Sequence, residues 1–183
     1  MNRCEWAKDE LMIKYHDNEW GISVHDDRKL FEMLILEGAQ AGLSWSTILK
    51  RREGYRKAFD NFNPTKVSKY NDKDISRLLK NAGIIRNKLK IKSAINNAKR
   101  FLEIKKEFGT FDKYLWRFVD YKPVISNYKN LASIPPSTPI SDKLSKDLQN
   151  RGFNFVGTTI CYAFLESVGV VNDHLTYCFL RKK

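Results

Sequence analysis

Cysteine is scarce in this chain: Cys4, Cys161 and Cys178 are three in 183 residues, an odd number spread over the whole length. A disulfide framework is thereby excluded, and buried thiols or metal ligands remain as roles. No apolar run approaches the roughly 20 residues that a membrane span requires, and no basic-then-apolar leader pattern opens the chain. The expectation is a soluble, cytoplasmic protein with no membrane partner. Proline is also thin, and four of its five copies fall between 123 and 139 among Ser, Thr and Asn, which marks that stretch as the longest connection. Strand alternation, internal repeats and low-complexity tracts are missing, so an all-α fold is expected. At 42% hydrophobic content the chain can still bury a substantial core.

Acidic charge is short as well, but unevenly. The net charge is +12; residues 50–106 hold 18 Lys/Arg against 5 Asp/Glu, whereas residues 1–49 hold 5 against 9. A positive excess confined to the middle third fits a surface that meets phosphate, because each neutralised phosphate releases counterions. A solvated basic helix face fits the same numbers.

Helical spacing fills most of the chain. Asp26 or Asp27 can cap a helix running to about Leu36, and Ser44 one running to Phe59. Asn71 with Asp74 resembles a capping box for a short helix through Leu78 and Leu79, ended by Gly83. From Asn87 the apolar positions keep helical spacing to Gly109, and Thr110 can cap a further helix through Phe118. Ser141–Asn150, closed by Gly152, and Gly157–Val168, closed by Gly169, complete the set.

Three patterns could carry chemistry. Glu37 sits at the end of the apolar run Leu30–Leu36, where another apolar residue would be ordinary, and is followed by Gly38, Gly42, Leu43 and Trp45. A carboxylate beside an indole can grip a flat cationic ligand; a capped helix with Trp45 in the core is the plainer reading. Next, Leu78–Lys88 joins a short helix to a long one through Gly83, Ile84 and Ile85, with Arg86 and Lys88 following. This helix-hairpin-helix pattern lets backbone N–H groups and a helix N-terminus face one phosphate, although any capped helix pair looks similar. Finally, Cys4, His16, His174 and Cys178 would make a closed tetrahedral Zn²⁺ set that clips the two ends of the chain together. Scattered buried Cys and exposed His would leave the same traces.

The blocks Cys4-Glu-Trp6, Tyr15-His-Asp-Asn-Glu-Trp-Gly21, Leu36–Trp45, Ala82–Arg86, Arg151–Tyr162 and Val171–His174, in that order, closely resemble the bacterial DNA-3-methyladenine glycosylase I family. The resemblance spans nearly the whole chain. It implies a helix-hairpin-helix DNA glycosylase fold, with residues 22–110 as the approximate hairpin domain and residues 1–21 plus 111–183 as a zinc-clipped terminal subdomain. It also implies monofunctional excision of N3-methyladenine from double-stranded DNA by a monomer, with free 3-methyladenine as product. Residue by residue, Glu37 would accept hydrogen bonds from the methylated base, Trp45 would stack on it, and Trp6 and Tyr15 would line the pocket. Tyr15 would also help position water or the leaving base. Gly42 and Leu43 would fill the gap in the duplex, Gly83, Arg86 and Lys88 would hold its backbone, and Cys4, His16, His174 and Cys178 match the family's structural zinc set. Met12 also falls in the pocket, at a position where the family carries a tyrosine.

N3-methylation makes adenine cationic, so the glycosidic bond breaks to a neutral base and little acid assistance is required. Many helix-hairpin-helix glycosylases place an Asp beyond the hairpin to support the cationic sugar. Residues 87–106 contain only Glu103, which accords with the resemblance and argues against excision of uncharged bases. No lysine in the matched pocket segments offers a Schiff base, so no lyase activity is expected. Two other classes remain on the residues alone: a non-catalytic zinc-stapled helix-hairpin-helix DNA-binding protein, which leaves Glu37 and Trp45 without a role, and a zinc hydrolase, which needs an open coordination position.

Overall fold

A computed structural model describes residues 2–181. The first helix, α1 (Glu10–Asn18), lies in a polar stretch where the spacing gave no helix. Asp9 caps it by accepting from the Met12 N–H at 2.9 Å, and its buried face consists of only Tyr15 and His16. Next come α2 (Asp27–Gln40) and α3 (Trp45–Ala58), capped by Asp26 and Ser44 as expected. A single turn, α4 (Pro64–Val67), precedes α5 (Asp72–Lys80), whose Asn71/Asp74 capping box is present. The 21-residue α6 (Lys88–Phe108) starts at Asn87, which accepts from the N–H groups of Leu89 and Lys90, and stops at Gly109 with φ +85°. Thr110 caps α7 (Phe111–Trp116).

The all-α expectation fails in one place. Strands β1 (Val124–Ile125) and β2 (Val171–Asn172) pair in parallel, with Val124 opposite Val171. Two residues per strand are too few for alternation to register in a sequence. After the Pro-rich connection, α8 (Pro139–Asn150) begins two residues before the expected Ser141. A capping box between Thr138 and Ser141 and a proline in the first turn account for that start. Helix α9 (Thr158–Ser167) runs to Val168, and Gly169 turns the chain with φ +66°.

Helix α2 is the axis of the molecule. Every residue from Leu30 to Ala39 is buried, because α3, α6, α7 and α9 pack around it. One flank is tied by charge: Arg52, 7% exposed, donates to both Glu19 carboxylate oxygens at 2.8 Å and to Glu32 at 2.7 Å. Burial pushes the Glu19 carboxyl up, but Arg52 and Lys29 outweigh that and hold it down at about 2. Part of the basic middle third is therefore internal mortar rather than free surface.

Gly83 corrects the sequence reading. Helix α5 ends at Lys80, and Gly83 lacks the positive φ of a glycine cap. Its smallness serves a close approach instead: a Cβ on Gly54 of α3 would stand 2.1 Å from the Gly83 carbonyl oxygen, so the α5–α6 connection lies backbone to backbone on α3. The Ile85 N–H also donates to the Tyr55 hydroxyl at 3.3 Å.

Candidate active site

The last turn of α2, the start of α3, α1 and α9 meet around a cavity of about 290 Å³, near the low end for small-ligand sites. Helix α2 contributes Glu37 and Gln40, α3 contributes Trp45, and α1 with its flanks contributes Trp6, Met12, Tyr15 and Trp20. The far wall is Ala163 and Glu166 of α9, with Ile134 from the long connection. Its walls are chiefly aromatic: Tyr15 and Trp45 have ring centroids 5.3 Å apart, and Trp6 meets Trp20 edge-on at 5.0 Å.

Into this apolar bowl projects Glu37, 3% exposed. Burial raises its pKa to about 8, partly offset by a hydrogen bond with the Ser167 hydroxyl. An empty cavity thus holds a neutral carboxyl near pH 7 that a cation would ionise. Glu166 is pushed well above the carboxylate range by burial and by the charges of Asp173 and Glu37. Tyr15 is likewise pushed well above its ordinary value, by burial first and by Glu37 and Glu19 next, so its hydroxyl stays protonated. No lysine or arginine lines the cavity among the described residues. Such a lining suits a flat, positively charged ring.

Beside the cavity, α2 gives way to a tight turn in which Gly42 has φ +76° and the Leu43 N–H donates to the Gln40 carbonyl at 2.6 Å. A Cβ on Gly42 would meet nothing, so glycine is there for conformation rather than space. The turn thrusts Leu43 outward at 39% exposure. The connection from α5 to α6 carries Arg86, and α6 begins with Lys88; both are exposed.

At the junction of the two chain ends, ligand atoms of Cys4, His16 and Cys178 lie within 4.8 Å of one another, all three buried. His174 stands apart from that triad, yet its ring centroid is 4.9 Å from that of His16 and its buried Nε2 has no partner. Nδ1 of His16 bonds Asp17 at 2.7 Å and Nδ1 of His174 bonds Asn172 at 2.8 Å. Each imidazole therefore has its Nδ1 committed, which leaves Nε2 as the nitrogen available to a metal. Burial lowers the pKa of both rings, His174 to about 4, and raises Cys4 to about 12.

A family model described as methyladenine glycosylase matches residues 6–182. The chain belongs to the methyladenine glycosylase family. It is thus an N-glycosylase, a hydrolytic enzyme. It is 50% identical to DNA-3-methyladenine glycosylase 1 of Escherichia coli strain K12, over 97% of this chain and 96% of that one. Identity to the Haemophilus influenzae DNA-3-methyladenine glycosylase is 46%, over 96% of each chain. Among solved structures, the Staphylococcus aureus 3-methyladenine DNA glycosylase I superposes with a TM-score of 0.96 at 38% identity, covering 100% of this chain and 98% of that one. That structure concerns the recognition of 3-methyladenine.

In this glycosylase Trp6, Met12, Tyr15, Glu37 and Trp45 line one cavity, and Gly42 and Leu43 line a neighbouring one that shares Glu37, Gln40 and Ala163 with it. Trp20, Gln40, Ile134, Ala163 and Glu166 were not foreseen. Gln40 was detectable, one helical turn after Glu37 on the same face. Trp20 reaches the cavity from beyond the end of α1, and Ala163 and Glu166 from α9, more than 120 residues further along the chain; no local pattern reports such a meeting.

Proposed function

We propose that the protein excises N3-methyladenine from alkylated double-stranded DNA, taking the base out of the stack into the aromatic cavity and hydrolysing its glycosidic bond without strand cleavage. The observation that carries this is Glu37: a carboxyl with almost no exposure, among indole and phenol rings, in a cavity free of basic side chains. An isolated charge there is costly, and a cationic base repays that cost, so the site selects for the charge that methylation creates. A neutral purine leaves the carboxyl protonated and gains only stacking. Leu43 fills the space left by the flipped nucleotide while Arg86, Lys88 and the hairpin backbone around Gly83 hold phosphates.

Glu103, the only carboxylate among residues 87–106, is exposed and paired with Arg100 at 2.8 Å, so α6 brings no acid to the sugar. Excision then relies on the leaving group already carrying its positive charge, with Tyr15 positioning water or the departing base. The absence of a lysine from the lining supports a monofunctional reaction.

Cys4, His16, His174 and Cys178 fit one structural Zn²⁺: two thiols, two imidazoles with Nδ1 already bonded, and an orphaned buried Nε2 on His174. Bound there, the ion would link Cys4, ahead of α1, and His16, within it, to His174 and Cys178 after β2, and would take no part in bond cleavage. We place the protein in the cytoplasm as a monomer; no described helix is long and apolar enough to cross a membrane.

Incubating wild type and Glu37→Gln with a methylated duplex, and separating released bases by chromatography, tests the reading. Wild type should release 3-methyladenine and Glu37→Gln far less. Equal release by both removes Glu37 from recognition, and no release by either leaves a DNA-holding module without chemistry.

A further inference from the structure

Lys90, in the first turn of α6, does not face solvent with its neighbours Arg86 and Lys88. Its ammonium donates to the Ala39 carbonyl at 2.9 Å and to the Ala41 carbonyl at 2.6 Å, at the C-terminal end of α2. That helix has no basic residue of its own in its last turn, so the cation that satisfies its final carbonyls comes from the hairpin's helix. The two accepting residues bracket Gln40, whose carbonyl in turn accepts from the Leu43 N–H. On the other side, the hairpin rests on α3 through Gly54 and Gly83.

We propose that Lys90 is a positioning residue that locks the Ala41-Gly42-Leu43 turn to the phosphate-holding hairpin, so that docking the DNA backbone sets the height at which Leu43 enters the duplex. This rests on the base-flipping reading above. Two carbonyls at hydrogen-bond distance hold the ammonium inward, so Lys90 is not spent on phosphate. Without it, the turn keeps only the apolar packing of α2 on α6 and the link through α3, and a displacement of about 1 Å at a wedge can cost roughly a hundredfold in rate.

Lys90→Met, which keeps the stem and loses the donors, should keep its Kd for undamaged duplex within about twofold, and the salt dependence of binding should stay unchanged. Its single-turnover release of 3-methyladenine should fall at least about tenfold, and Lys90→Arg should restore most of it. Fluorescence of 2-aminopurine next to a tetrahydrofuran abasic site reports wedge insertion without chemistry; the wild-type signal should be largely lost in Lys90→Met. In a Leu43→Ala background the same substitution should cost less than about twofold, because both act through one step. A salt slope reduced by about 1 with a normal rate at saturating enzyme would make Lys90 a phosphate contact and overturn the proposal. Full additivity with Leu43→Ala, as from general loss of folding, would overturn it too, as would a wild type that opens no duplex. If no base is released yet the fluorescence difference stands, the glycosylase reading fails and the role of Lys90 does not.

Discussion

Glu37→Gln should make the empty protein more stable, by an amount that grows with pH. The buried carboxyl titrates at about 8 in the folded chain against an ordinary value of 4.5. Between those values the unfolded chain has given up a proton that the folded chain keeps, so rising pH favours unfolding by about 1.4 kcal/mol per pH unit. The penalty is absent below about 4.5, accumulates through the window and is complete above about 8. At pH 7 it amounts to about 3 kcal/mol and at pH 8 or above to about 5. An amide of the same shape carries no such proton. For a protein of this size the gain at pH 7 corresponds to a Tm higher by about 6–12 °C. In the variant Glu166 loses the raising charge of Glu37, which adds to the difference in the same direction. Urea unfolding of both proteins at several values between about pH 5 and pH 8.5 measures the effect. Curves that run parallel across that range would refute the reasoning, since Glu37 would then titrate alike in both states.

Turnover should show the opposite face of the same group. kcat/KM of wild type on methylated duplex should climb with pH and level off above about 8, reporting the free enzyme's Glu37, and a flat profile would remove the need for its ionised form. Leu43→Ala should bind undamaged duplex nearly as well as wild type but release base at least about tenfold more slowly in a single turnover, a loss that would be absent if the wedge were passive. Cys178→Ser, or chelation of the native protein, should lower Tm by at least about 10 °C; an unchanged Tm would dismiss a structural metal. Gly54→Ala should destabilise by about 1–3 kcal/mol in urea, because its methyl would collide with the hairpin's backbone.

Local chemistry was the legible part of this chain. Asp26, Ser44, Asn71, Asn87 and Thr110 all cap the helices expected of them, because a cap is written within four residues. Helix α1 escaped notice since its buried stripe is only two residues wide, and the β1–β2 pair since each strand is two residues long. At the site, Glu37 announced itself by being a carboxylate in an apolar run. Glu166 does not stand out in its own helix, and only the packing of α9 against α2 turns it into a cavity wall. Gly54, inside a helix where glycine usually weakens, had an explanation only in the hairpin lying across it.

The cavity is walled by the first twenty residues and by the last helix, and the two are stitched together by main-chain bonds: Gly21 N–H to Glu166, Val24 N–H to Val168, Phe179 N–H to Asn2. A chain still being made has its early segment waiting, unpaired, while more than a hundred residues are synthesised between the partners. Until α9 and the residues near 179 are made, Trp6, Tyr15 and Trp20 lack the opposite wall of their cavity. The cavity thus carries the chain-entropy cost of closing a loop that spans most of the sequence, a cost the short-range helix pairs do not carry.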